Sequence, residues 1–488
     1  MEKTIAIIGS GFSALAASCY LAQQGNKVTI YEKNDSIGGR ARQFKKDGFT
    51  FDMGPSWYWM PDVFERFFND FDKKTAEYYE LIKLNPAYSV YFGIDDFINI
   101  YDNLEEIKVT FEKIEKGSSK KLQAFINQAK SNYDIAIKDL VYRPGVSPLE
   151  LITPETALKL NQFFGSVSND IRKKFKNERL IQILEFPVLF LGAKPSKTPS
   201  FYNFMNYADF GLGTWHPKTG MFDVVRGIEK LALELGVNIE TNASIEKIIV
   251  ENKTAIGISI NGKYIKADIV LSGADYHHTE TLLGEEHRVY SEKYWESRVF
   301  APTSLLFFVG FNKKIENVTH HALFFDVDFN QHAADIYDNP KWPEAPLFYA
   351  NFPSKTDATA APNGMESGFF LIPLAPGIKD TEELREMYFE KIITRFETLT
   401  QQEIRNSIIF KKSFCKNDFV TDYNAYKGNA YGMANTLLQT AFLRPKLKSK
   451  KVRNLYFTGQ LTVPGPGVPP ALISGKLVAE LIQKSIRS

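Results

Sequence analysis

The chain has 488 residues, 44% hydrophobic and 24% charged, an ordinary globular composition that excludes a fibrous or low-complexity protein. A net charge of +2 leaves no global signature for nucleic acid. Two cysteines, Cys19 and Cys415, make no disulfide framework, so a reducing, cytoplasmic compartment is expected.

The opening MEKTIAIIGSGF lacks a basic segment leading into an apolar one, so no secretory signal is expected. Ile5–Ile8 is a short apolar run that reads as a buried strand. Ala14 to Gln24 is helix-like and closed by Gly25, and Lys27–Glu32 alternates as a second strand, giving a βαβ unit. Residues from about 76 to 219 are richer in helical patterns. Met221–Glu251 reads as helix, Gly236 and then strand, and Asn261-Gly262 marks a hairpin. Ile265–Leu271 reads as one more strand. Residues from about 286 to 440 mix strands such as Ser304–Phe311 with helices such as Glu382–Thr398. The chain ends in a strand, Leu455–Thr458, and a helix, Ala471–Gln483. No apolar run reaches the roughly 18 residues needed to span a bilayer; Phe300–Phe311 is the most apolar.

The expected fold is α/β. A Rossmann-like dinucleotide-binding domain is assembled from residues 1–75, 220–285 and 441–488. A mixed α+β substrate-binding domain is inserted as residues 76–219 and 286–440.

The chemistry begins at Gly9-Ser10-Gly11-Phe12-Ser13-Ala14, a G-x-G-x-x-A turn between strand and helix. Gly9 allows the tight turn, Gly11 lets backbone approach a pyrophosphate, and Ala14 lets helix and strand pack closely. Phosphates then meet free N–H groups at the helix N-terminus. Glu32 ends the second strand about 20 residues on, where a carboxylate takes ribose hydroxyls. Gly38-Gly39-Arg40 follows, two glycines for close backbone passage and an arginine to pair with phosphate. A simple NAD fold has no need of that addition; it is the extended pattern of large FAD-binding oxidoreductases. Met53-Gly54-Pro55-Ser56 marks a turn, which by itself reads as a loop. Near the far end, Gly459-Gln460 and the Pro464–Pro470 loop before a helix offer a second glycine-rich surface. A long cofactor such as FAD needs one surface for its nucleotide and another for its ring, whose N1–C2=O edge gains negative charge on reduction.

With these landmarks the chain resembles the bacterial-type carotenoid desaturases, most closely phytoene desaturases, within the FAD-dependent amine oxidase-like superfamily. The resemblance runs along essentially the whole chain. It also takes in Trp215-His216-Pro217-Lys218-x-Gly220-Met221, Ala267-Asp268 to Ala274-Asp275, and Gln439 to Pro445. It implies non-covalent FAD, a long apolar tunnel and desaturation of a C40 polyene. Positions matching the family's cofactor contacts include Lys33 after Glu32, Ile245 beside the adenine, and Gly467-Val468 in the terminal loop. Where many members carry Gly-Ala-Gly-Thr-His-Pro-Gly, this chain has Gly459-Gln460-Leu461-Thr462-Val463-Pro464-Gly465, and a second family glycine is Pro470. The missing histidine removes a base from that point.

On the substrate side, aromatic walls suit a polyene, although aromatic clusters also fill cores. Trp57, Trp59, Phe64, Phe67, Phe68 and Trp215 are the candidate tunnel residues. A saturated C–C bond beside double bonds would lose a hydride to the flavin and a proton from the neighbouring carbon. No catalytic acid or base is identified: His216, His277, His278, His320 and His321 qualify only by residue type. No Cys/His set has zinc spacing. Because the substrate lives in bilayers, peripheral membrane attachment is expected. Its candidate contacts are the basic stretches Arg172–Lys176 and Lys446–Arg453. Electrons would leave to a quinone or to oxygen. The alternatives are a late-pathway carotenoid desaturase, a carotenoid isomerase, an amine oxidase, or a prenyl-lipid carrier resembling Rab GDP-dissociation inhibitor.

Overall fold

The computed structural model describes residues 2–189 and 191–487. A five-stranded, all-parallel sheet gathers strands from distant parts of the chain. Thr4–Ile8 lies at its centre, flanked by Ile269–Ser272 and Lys27–Tyr31. Leu455–Phe457 and Asn238–Glu240 form the outer strands. Helices cover one face and the antiparallel strands Ile245–Glu251 and Thr254–Ile260 the other, which is why these strands are apolar runs rather than alternating ones. The first helix, Phe12–Gln23, packs against the terminal helix, Val468–Arg487. Their approach is close because Gly475 has no side chain: a Cβ there would lie 2.6 Å from the Ser13 carbonyl oxygen and 2.8 Å from Ala16 Cβ.

Two boundaries differ from expectation for a physical reason. Ile265–Leu271 is not one strand. Lys263–Lys266 closes the antiparallel hairpin on Thr254–Ile260, whereas Ile269–Ser272 enters the parallel sheet. Ala267 and Asp268 carry the chain between the two sheets, and Asp268 accepts from the Thr4 amide and hydroxyl. The terminal helix starts at Val468, three residues before Ala471. Pro469 and Pro470 are tolerated in its first turn, where their missing N–H groups have no helical partner anyway.

A second, seven-stranded sheet joins strands from both long inserts. Tyr88–Gly93 and Asp96–Ile100 pair beside His321–Phe324, Phe348–Asn351, Glu366–Leu374, Thr303–Phe311 and Ile408–Phe414. Along Thr303–Phe311, the odd-numbered Leu305, Phe307, Val309 and Phe311 pack against the helix Glu382–Thr400. The even-numbered Leu306 and Phe308 join the main core on the other face. Both faces are covered, so the sequence shows no alternation there. Cys19 and Cys415 are buried free thiols.

Candidate active site

One large cavity of about 890 Å³ runs between the two sheets. This is the upper part of the range for ligand pockets. Its first end is built by the glycine turn. Gly9, with φ of +83°, crosses the end of the neighbouring strand, where a Cβ would lie 3.5 Å from the Ala274 amide nitrogen. Gly11 is the N-cap of the first helix, with no side-chain cap and no acidic residue in the first turn. Its Cβ position has no atom within 4 Å, and Gly11 lines the cavity. Uncapped helical N–H groups facing open space suit an anion. Ser10, Phe12 and Ser13 line the cavity with Gly9 and Gly11. Ala14 does not. It packs behind the turn, where a Cβ on Gly273 would lie 2.7 Å from its own.

Gly38 and Gly39 both hold positive φ. The Gly38 amide donates to Ser10 O (3.0 Å), and Gly39 rests on Gly11, leaving 3.3 Å for a Cβ. Arg40 is thereby carried to the cavity wall. It donates to Asn429 O (3.2 Å) and lies over the Tyr423 ring, while its buried Nε has no partner. Burial pulls its pKa down and Asp275 opposes this. An orphaned guanidinium N–H beside uncapped helical amides fits a pyrophosphate. Gly54 closes over the same loop, since any Cβ there would collide with the Arg40 carbonyl oxygen. Pro55 and Ser56 continue along the wall.

Glu32 is buried at this end. Its Oε2 accepts from the Ser10 amide (3.0 Å) and hydroxyl (2.6 Å), and its Oε1 from the Asn34 amide and side chain (both 2.9 Å). Lys33 lines the cavity, yet its ammonium donates to Thr421 O (2.6 Å). Ile245 lies on the same wall with Ala243 and Ser244.

The two glycine-rich stretches meet. A Cβ on Gly459 would lie 3.1 Å from Ser13 Oγ. Ser474 of the terminal helix accepts from the Gly459 amide (3.0 Å) and the Thr458 hydroxyl (2.9 Å), pinning the loop. Gln460, Gly467 and Val468 line the cavity. The terminal helix is a poorer donor than the sequence reading expected. Pro469 and Pro470 have no N–H, and the Ala471 amide already donates to Gly467 O. Asn429, unmarked in the sequence, links the motifs: its carbonyl takes Arg40, and its Oδ1 accepts from the Gly432 amide (2.7 Å) and Gln460 Nε2 (3.3 Å).

Beyond Ser56 the cavity is apolar, walled by Trp57, Trp59, Phe186, Phe204, Leu323 and Leu371 among others. Of the candidate tunnel residues, Trp57 and Trp59 stand in this wall. Phe64, Phe67, Phe68 and Trp215 do not. The helix Pro61–Asn69 turns its three phenylalanines into the core, Phe64 stacked on Tyr58, Phe67 against Tyr20 and Phe68 stacked on Tyr78. Trp215 sits in a two-stranded ribbon with Leu81–Lys83, and its indole donates to Leu212 O. Other parts of the apolar wall come from Phe186, Leu189, Phe201 and Phe204 and from Leu306, Leu323 and Leu371 of the seven-stranded sheet, which no motif marks. Among the described residues no group of three or more His, Cys, Asp or Glu side chains could hold a metal.

The family model described as flavin containing amine oxidoreductase matches residues 12–483. The chain belongs to that family. It is an FAD-dependent oxidoreductase, and the uncapped first-helix turn with the orphaned Arg40 Nε suits the cofactor's pyrophosphate. Over 99% of both chains it is 38% identical to the carotenoid 3,4-desaturase of Haloarcula japonica. It is 32% identical, again over 99% of both, to the 4,4'-diapophytoene desaturase (4,4'-diaponeurosporene-forming) of Staphylococcus haemolyticus. Among solved structures, an oxidoreductase from Methanosarcina mazei superposes with a TM-score of 0.65 at 16% identity, covering 98% of this chain and 99% of that one. A putrescine oxidase gives 0.61 at 13%, covering 99% of each chain. These last two share the fold.

Proposed function

We propose that this enzyme desaturates a carotenoid chain. The observation that carries the reading is the continuity of one cavity from the Gly9–Arg40 cradle to the aromatic wall at Trp57 and Trp59. An apolar, aromatic-walled cavity continuous with a flavin site suits a polyene, and the two carotenoid desaturases similar along their whole length support it. When bound, FAD supplies a two-electron hydride acceptor. The chain's own residues then have three tasks: Arg40 and the first-helix amides hold the pyrophosphate, the Gly459–Val468 loop positions the ring, and the apolar wall aligns the carbon chain.

The landmarks imply phytoene as substrate and lycopene as the end point. The relative at 38% identity is named for a 3,4-desaturation, which favours a later carotenoid as the second reading. Anaerobic mixing of the holoenzyme with phytoene, with lycopene, or with a C30 diapo-carotenoid in liposomes separates them. Flavin bleaching with a longer conjugated product identifies the substrate; bleaching by none of the three refutes the reading.

The cavity reaches the surface among exposed apolar side chains. Leu149, Ile152, Leu158, Phe164 and Leu438 are 68–87% exposed, while Leu140, Phe163 and Leu438 line the cavity itself. Nearby, Lys446 donates to Gly145 O (2.8 Å), which brings the 446–453 basic stretch beside this rim. In the other basic stretch, Arg172 is paired with Glu178 and Lys174 with Asp170. We infer that the rim rests on a bilayer and that the polyene enters there. No helix among the described residues is long and apolar enough to cross a membrane.

A further inference from the structure

A desaturation releases a proton as well as a hydride, and the apolar half of the cavity has few groups that could take it. His332 lines it, but Nδ1 accepts from the Leu347 amide and Nε2 donates to Pro373 O, both at 2.9 Å. Tyr349 is different. It stands in the cavity wall next to Ser56, where the cofactor cradle gives way to the apolar slot. Its hydroxyl lies 2.6 Å from His321 Nδ1 and 2.9 Å from Ser56 Oγ.

Strand register builds this pair. His321 lies opposite Asn351 and Leu323 opposite Tyr349, so all four share one neighbourhood of the sheet. Asn351 Nδ2 donates to His320 O (3.0 Å), which fixes its amide orientation. The same Nδ2 faces His321 Nδ1 at 3.3 Å, so Nδ1 is the acceptor nitrogen and Nε2 carries the hydrogen. Tyr349 therefore donates to His321 and accepts from Ser56, and the Trp57 indole is the second donor beside its oxygen, a contact that the incoming proton would displace. Burial, with the neighbouring His216, keeps His321 neutral. Trp57 covers the imidazole face to face, 4.1 Å away and inclined 10°, a geometry that stabilises a positive ring. The other groups facing it are His320, at 4.5 Å between ring centres, and beyond that His216, whose Nε2 is 3.7 Å from Asp357.

We propose that Tyr349 takes the proton lost by the polyene while passing its own phenolic proton to His321. This rests on the carotenoid-desaturation reading. The C–H bond beside the carbon that has given up its hydride breaks, and its electron pair becomes the new C=C bond. The proton bonds to Tyr349 Oη as the phenolic proton moves to His321 Nδ1. Tyr349 ends neutral and His321 ends as imidazolium; the two electrons have gone with the hydride to the flavin. The proton later returns through Tyr349 to Ser56. Ser56 also borders a second chamber of about 30 Å³, lined by His216, Asn351, Asp52 and Asp357, which has room for one water. Tyr349 is thus a catalytic residue, and His321 acts through it.

The test uses the FAD-loaded enzyme, a carotenoid that bleaches the wild type, and the variants Tyr349→Phe and His321→Gln. Bleaching in a single turnover should slow by roughly 10²- to 10⁴-fold in each, the range of general-base catalysis, with FAD content unchanged. The wild-type rate should fall on acidification as His321 protonates, and this limb should vanish in His321→Gln. In 15N-histidine-labelled protein without substrate, His321 should appear at pH 7 as the neutral Nε2–H tautomer. Bleaching within threefold of wild type in Tyr349→Phe, or a His321 charged or protonated at Nδ1, overturns the relay alone. If no carotenoid bleaches the wild type, the functional reading falls and the relay with it.

Discussion

Gly11→Ala separates cofactor binding from folding. Gly11 has φ of −69° and ψ of 171°, a conformation that alanine adopts freely. The new Cβ meets no protein atom within 4 Å, so the fold has nothing to displace. Replacing glycine at a compatible backbone site stabilises by about 0.4–1 kcal/mol through the unfolded chain. Alanine is a poorer N-cap than glycine, a cost of similar size. The apoprotein should therefore unfold within about 1 kcal/mol of wild type. The methyl group, however, stands in the cavity beside the first-helix amides proposed to hold the pyrophosphate. Losing one amide bond to a charged oxygen costs about 1.5–3 kcal/mol, or roughly 10- to 150-fold in Kd. Titrating apoprotein with FAD and following fluorescence quenching reads that change, and urea unfolding without FAD reads the stability. An FAD affinity equal to wild type would refute the assignment of this turn to the pyrophosphate. A large loss of apoprotein stability would refute the claim that the space is open.

Phe68→Ala tests the placement of Phe68 in the core: it should cost about 3–5 kcal/mol of stability, and a small stability loss with altered carotenoid product would instead put Phe68 in the tunnel. The double variant Leu149→Ser/Ile152→Ser should weaken liposome flotation at least tenfold, since each buried side chain contributes about 1.5–3 kcal/mol; unchanged flotation would move the membrane face elsewhere. Asp209 is buried under Tyr88, and burial raises its carboxyl to about 7, with the Tyr88 and Thr214 hydrogen bonds opposing. The folded protein keeps this proton where the unfolded chain, near 3.9, has lost it. Its contribution to stability is thus present at low pH and is lost as pH rises from about 4 to 7, by up to about 1.4 kcal/mol per unit. Urea unfolding across that range should show a flatter profile for Asp209→Asn, and parallel profiles would contradict the shift.

The backbone geometry of the candidate cofactor end was legible in the sequence. A βαβ unit with Gly9, Gly11 and Ala14, then Glu32, then Gly38-Gly39-Arg40, leaves one geometry for backbone and phosphate, because glycine φ values and helix termini are local properties. The Trp57 and Trp59 placement followed the same logic, both lying just past the Gly54-Pro55 turn. Phe64, Phe67 and Phe68 could not be placed that way. Their helical spacing says that one face is buried, but not whether the neighbour is core or cavity, and tertiary packing put Tyr20, Tyr58 and Tyr78 against them. Asn429 and Tyr349 were invisible for a related reason. Each acts through partners remote in sequence, Arg40 and Gln460 for the one, Ser56 and His321 for the other. The sequence alone determined where the backbone must turn at its glycines and which strands and helices flank those turns. Only the closing of two sheets around one cavity, with the strand register that sets His321 beside Tyr349, decided which side chains face the substrate.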